Sequence, residues 1–132
     1  MRNTNSMEVY NNRIVITLFG APKTANQLLG QNWQKRKRNA DTWKDQIRYL
    51  FMQNKDKLLN SNLPWNYVQL KATIGRSRFM DYDGAVSTLK PVIDGLKKLF
   101  IVDDSWELTG AWVVGQVKTK RKEEFVRIEI KT

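Results

Sequence analysis

Apolar positions along the chain follow two periods. Residues 14–19 are β-branched, apolar or aromatic and read as a strand. Val68, Leu70, Ala72 and Ile74 alternate with Gln69, Lys71 and Thr73, the period of two that buries one strand face. Between these stretches the period lengthens. Trp43, Ile47, Leu50, Phe51 and Leu58 recur at helical spacing, which predicts a helix over 41–59 with Asp41 as its N-cap. A second helix is predicted over 83–99, where Val86, Leu89, Val92, Ile93, Leu96 and Leu99 share one side and Pro91 should kink or loosen a turn. Residues 108–120 and 125–131 are expected to pair as an antiparallel hairpin around Arg121, Lys122 and Glu123. Gly, Pro and Asn mark loops over 20–32 and 61–64, and 102–105 reads as a further loop. The order β-α-β-α-β-β predicts a single-domain α/β fold, a small mixed β-sheet packed with two main helices. Residues 1–12 are polar and predicted flexible, leaving 13–132 as the domain.

Composition narrows the chemistry. With no Cys, disulfides, thiolate nucleophiles and zinc knuckles are excluded. With no His, a Ser-His-Asp hydrolase and a His-ligated metal site are excluded as well. No stretch approaches the run of about 18 apolar residues that crosses a bilayer, and the first residues lack a signal peptide's apolar block. A cytoplasmic setting is the expectation. Lys and Arg number 23 against 13 Asp and Glu, a formal +10, which points to a polyanion and first to nucleic acid. The acids are not spread evenly. Residues 79–107 carry six acids and three bases, a local −3 that leaves +13 on the rest of the chain. A basic body around one acidic spot suits a nuclease, whose body holds phosphates while its acids hold a cation.

Asp81 and Asp83 flank Tyr82 after a strand; if that stretch is extended, both carboxylates point to one side. Such a pair repels itself unless a cation intervenes, and a hard cation such as Mg²⁺ prefers oxygen ligands. An isolated Asp-x-Asp is more often a turn. This one has company. Asp83, Ser87, Lys90 and Asp94 fall within an arc of roughly 60° on a helix. A solvated i,i+4 pair explains Lys90 and Asp94 by themselves, but not why their stripe starts at Asp-x-Asp. Asp103 and Asp104 follow the apolar run Phe100, Ile101, Val102, which suggests a loop anchored on the core. Several carboxylates and one Lys, without His, form the parts list for cation-assisted phosphodiester hydrolysis.

The segment DYDGAVSTLKPVIDGLKKLFIVDDS resembles the active-site signature of the RusA family of Holliday-junction resolvases and their phage-encoded relatives. That signature is Asp-x-Asp-Asn, a Lys several residues on, an Asp-x-Leu one turn later, and a closing Asp-Asp. Asp81, Asp83, Lys90, Asp94 with Leu96, and Asp103 with Asp104 fall on it in order. Upstream, PKTANQLLGQNWQKRKR resembles the family's Pro- and Asn-containing loop and basic run. Gly84 departs from the pattern, standing where the family usually has Asn. The resemblance implies a homodimeric α/β nuclease that nicks four-way junctions with Mg²⁺ or Mn²⁺. Asp81, Asp83 and Asp104 would be essential ligands, with Asp103 alongside and Lys90 assisting catalysis.

Outside the acids, Lys35, Arg36, Lys37 and Arg38, with Arg76 and Arg78, form the expected DNA-binding surface. A charge run is ordinarily a solvated face; the +10 total tips the balance toward phosphates. Trp33, Trp106 and Trp112 could stack on unpaired bases, although a core place is preferred for Trp112. Two rivals stand beside the junction nuclease. One is a non-catalytic basic DNA-binding protein whose acids are structural, and the other a Mg²⁺-dependent nuclease acting on RNA or flaps.

Overall fold

The computed structural model describes residues 4–20, 22–23, 27, 29–103 and 109–132. In chain order it contains β1 (Ser6–Val9), β2 (Arg13–Phe19), α1 (Trp33–Gln53), β3 (Val68–Arg76), α2 (Tyr82–Leu96), β4 (Thr109–Lys118) and β5 (Phe125–Lys131), with 3-10 turns at Lys55–Leu58 and Arg121–Glu123. The strands form one sheet in the order β1-β2-β5-β3-β4. β3 and β4 run parallel and every other pair is antiparallel. The parallel pair follows from the connection, because α2 carries the chain back between β3 and β4 as a crossover.

One face of the sheet makes the core. Ile14, Ile16 and Leu18 of β2, Val68, Leu70, Ala72 and Ile74 of β3, and Val126, Ile128 and Ile130 of β5 are buried there. Trp43, Ile47 and Leu50 of α1 and Ala85, Leu89, Val92, Ile93 and Leu96 of α2 join the same cluster. Each buried Val, Leu or Ile among them contributes about 1.5–3 kcal/mol of burial. The alternate residues Gln69, Lys71, Arg127 and Lys131 are exposed on the other face. Among the described residues, no helix is long and apolar enough to cross a membrane.

Four expectations are corrected by the structure. The N-terminal stretch read as flexible contains β1, which pairs with β2 from Ser6↔Thr17 to Val9↔Ile14 and buries Met7. The first helix begins at Trp33, not at Asp41. Asn32 caps it by accepting the Lys35 N–H at 2.9 Å, so the basic run is helical. Its first turns bury no apolar residue, which is why periodicity missed them. The second helix spans Tyr82–Leu96 and runs through Pro91, and extended backbone at Lys97 ends it before residue 99.

The hairpin is the largest miss. β4 and β5 do not pair with each other; β3 lies between them. The alternation along β3 makes it a strand with a buried face and two flanks to satisfy, and β4 and β5 take one flank each. The link between them passes the end of β3, where Thr119 N–H donates to the Arg76 carbonyl at 2.9 Å. There Glu124 accepts from Ser77 N–H at 2.9 Å and Ser77 Oγ at 3.1 Å.

Candidate active site

Asp81 sits at the entry to α2. Its backbone is extended, its carbonyl accepts the Ala85 N–H at 3.0 Å, and its Oδ1 accepts the Gly84 N–H at 2.7 Å. It is therefore the helix N-cap, and Asp83 lies in the first turn, where the helix dipole favours negative charge. Both residues are exposed. Because β3 ends at Arg76 and Asp83 is already helical, the start of α2 sets this pair, not the strand pleat the sequence suggested.

The position of that start is fixed from behind by Met80. Gln116 on β4 accepts the Met80 N–H at 2.9 Å and donates Nε2 to the Met80 carbonyl at 2.8 Å. Thr88, buried on α2, directs Oγ1 to Met80 Sδ at 3.4 Å. Thus β4 and α2 both brace the residue before Asp81. Gly84 completes the arrangement: a Cβ at this position would stand 2.6 Å from Asp81 Oδ1. The missing Cβ at Gly84 gives the capping carboxylate the space it occupies.

The other acids lie toward the far end of α2. Asp94 is eleven residues beyond Asp83, about 16 Å of helical rise. Its Oδ1 meets Lys90 Nζ at 3.1 Å and Lys97 Nζ at 3.2 Å, and Lys97 Nζ stands 3.8 Å from Asp103 Oδ1. Asp94 and Asp103 are thereby brought together through Lys97, in a chain that also holds Lys90. The Asp103 loop is anchored as its apolar neighbours suggested. Phe100 and Ile101 are fully buried, and Trp65 accepts from Val102 N–H while donating its own N–H to the Phe100 carbonyl. Asp104 and Trp106 lie outside the described residues.

Among the described residues, no three or more His, Cys, Asp or Glu side chains gather where they could hold a metal ion. The oxygen-only donors Asp81 and Asp83 match a hard cation in kind. They make two ligands, and one oxygen of Asp81 is committed to the cap.

The basic residues divide by position. Lys35, Arg36, Lys37 and Arg38 are all exposed at the start of α1, with Lys37 Nζ 3.7 Å from Asp41. Arg78 is exposed, but Arg76 is mostly enclosed, its Nε 3.8 Å from Glu124 Oε2. Arg76 therefore holds the link between β4 and β5 over β3. Trp33 is 64% exposed, whereas Trp112 packs against the core. Sequence reasoning overlooked Asn32 and Gln116. Gln116 did leave a signal: in β4 it follows Trp112 and Val114 at alternate positions, a polar residue in a core-facing row, and such groups need partners.

The chain is a small single-domain α/β protein with a mixed sheet and two main helices. No family model and no curated protein sequence matches it. Among solved structures, that of a proposed translation initiation inhibitor from Salmonella typhimurium is similar at 14% identity, over 98% of this chain and 90% of that chain, with a TM-score of 0.34. Likeness at that level carries no functional argument.

Proposed function

We propose that this protein is a metal-dependent endonuclease of the RusA kind, which nicks four-way junctions or related branched DNA. The observation that carries the proposal is the exposed pair Asp81 and Asp83 at a braced helix start, in a chain of charge +10. Asp81 and Asp83, with Asp104 as the further acid, would hold Mg²⁺ or Mn²⁺, whereas Asp103, drawn to Lys97 toward the far end of α2, would not reach the same ion. The cation would supply an acidified water and charge neutralisation at the phosphate. Lys90 would assist with fixed positive charge. The exposed bases at the start of α1, with Arg78, would carry the phosphates flanking the cut. A homodimer would present two such sites for paired nicks.

A second proposal has an observation of its own. Asp94 and Asp103 both lie on Lys97, the arrangement of acids that serve structure. On that account the protein is a basic DNA-binding module without catalysis. Incubating a synthetic four-way junction, a flap, a linear duplex and an RNA hairpin with the protein, with Mg²⁺ or with EDTA, separates the two. Mg²⁺-dependent paired nicks on the junction are expected. Binding of all substrates without any cutting would establish the module instead, and preferred cutting of the flap or the RNA would move the substrate class.

A further inference from the structure

We propose that a cleft at the start of α1 is a phosphodiester-binding pocket, in which Lys23, Lys35 and Arg38 hold the backbone of a nucleic-acid strand on the flank of α1 away from α2. It deepens the nucleic-acid part of the proposed function and does not depend on the metal site.

The cleft is lined by Lys23, Gln31, Lys35, Arg38, Asn39 and Thr42 and has a volume of about 490 Å³. Three of these six side chains are cations and none is an acid. Among the described residues, no carboxylate lies within ion-pair distance of Lys23, Lys35 or Arg38, whereas nearby Lys37 pairs with Asp41. Like charges one helical turn apart, as at Lys35 and Arg38, cost a few tenths of a kcal/mol without a counter-charge. An oxyanion in the cleft removes that cost. The neutral lining suits it too, because the amides of Gln31 and Asn39 can donate to phosphate oxygens, while the Thr42 hydroxyl gives its proton to the Arg38 carbonyl at 2.8 Å. Among the described residues, the Gln31 amide oxygen, shielded from solvent, has no hydrogen-bond partner, so turning that amide costs none of the described bonds and presents its NH₂ group.

Size and position select a strand over a small ion. The volume falls in the range of about 300–1,000 Å³ typical of sites for whole small molecules, enough for a nucleotide unit. Lys35, Asn39, Thr42 and Gln46 form one stripe of α1 at intervals of four, three and four residues. Gln46 accepts from Asn5 Nδ2 at 3.2 Å, which puts this stripe on the flank toward the N-terminal strands. Lys44, roughly opposite on the helical wheel, faces α2, its Cα 3.2 Å from where a Cβ on Gly95 would lie. A helix about 10 Å across therefore separates the cleft from α2 and the acids it carries. A phosphate bound here is a different phosphate from one at Asp81 and Asp83.

The test uses the full chain in EDTA, so that cleavage plays no part, with a fluorescein-labelled duplex read by anisotropy across salt concentrations. In a triple variant, Lys23→Gln, Lys35→Gln and Arg38→Gln, affinity should fall at least tenfold, and the slope of log K against log salt should become shallower by about two to three. The charge-matched variant Lys55→Gln, Lys57→Gln, Arg121→Gln should keep the wild-type slope. Equal losses in both variants would overturn the pocket in favour of a diffuse basic field. In the unmutated protein, the amide resonances of Lys23, Asn39 and Thr42 should shift on duplex addition, which guards against a misfolded variant; unmoved resonances would also overturn it. Inorganic triphosphate, at matched ionic strength, should displace the duplex poorly. If it binds more tightly than the duplex and shifts the same amides, the ligand is a free polyphosphate and the strand assignment is wrong. Wild-type binding through this pocket, without junction cleavage in Mg²⁺, would sink the nuclease proposal and leave the pocket standing.

Discussion

The side-chain amide of Gln116 serves Met80 as a one-residue strand, satisfying both its main-chain N–H and its carbonyl. Replacing it by Ala leaves two main-chain groups unpaired in a partly buried setting, at about 1–3 kcal/mol. Because Met80 precedes the cap of α2, the loss should also reach Asp81 and Asp83. Gln116→Ala is expected to lower Mg²⁺-dependent junction cleavage about tenfold and to lower the thermal midpoint. Gln116→Glu keeps the acceptor for Met80 N–H and should recover part of each. Thermal unfolding and single-turnover cleavage, run side by side, check this. Full cleavage by a destabilised Gln116→Ala protein would show that the brace serves stability alone.

Gly84 and Asp81 form a second dependent pair. In Gly84→Ala the new Cβ would displace Oδ1 from the cap. Loss of the cap costs about 1 kcal/mol, and the gain in helix propensity returns a similar amount. Stability should therefore change little, while Asp81, released from the Gly84 N–H, should offer both oxygens to a cation. Tighter Mn²⁺ binding by calorimetry is the expected result. Unchanged affinity would remove Asp81 from the metal ligands.

Cutting and holding should separate by mutation. Asp81→Asn and Asp104→Asn are each expected to abolish cleavage of a four-way junction. Each should preserve or tighten junction binding, since negative charge near phosphates is removed. Gel-shift and cleavage assays on the same substrate read both. Normal cutting by Asp104→Asn would take that residue out of the proposed site.

Glu124 should matter for stability rather than chemistry. It accepts two hydrogen bonds from Ser77 and faces Arg76, whose side chain is 14% exposed. Glu124→Ala strands a largely enclosed guanidinium and should cost about 3 kcal/mol, and Glu124→Gln, which keeps an acceptor, clearly less. Urea unfolding measures both. A loss under about 1 kcal/mol would class the pair with solvent-screened surface ion pairs.

A two-fold dimer is the simplest way to place two nicks symmetrically across a branch point. Light scattering at micromolar concentration, with and without junction DNA, is expected to give twice the mass of the chain. A monomer in both conditions would defeat the resolvase proposal while leaving single-nick chemistry open.

What could be read from the chain depended on how local its cause was. β2, β3, β5 and the body of both helices follow from side-chain periodicity, which each segment carries within itself. The start of α1 was hidden because its first turns project charged residues to solvent, and only Asn32 marks the boundary. The separation of β4 from β5 was hidden because two adjacent strands with a charged turn look like a hairpin. Only the competition for β3, settled across the whole sheet, decides otherwise. For the site, the local excess of acids over 79–107 was legible as composition. The grouping was not: Asp94 and Lys97 stand one helical turn apart, but no spacing rule brings Asp103 to the same lysine.

The place of β5 bears on how this protein is made. The last strand in chain order lies in the middle of the sheet, between β2 and β3, and bonds to both. While residues 125–131 are still inside the ribosomal tunnel, β2 and β3 each show an open ladder to the cell, backed by their strongest apolar rows. Sticky edges of that kind invite pairing with foreign chains. The sheet can close only when the nascent chain has emerged past Lys131 and slotted that segment into the gap. Synthesis and folding are thus forced into sequence, and the vulnerable interval lasts until β5 is free to pair.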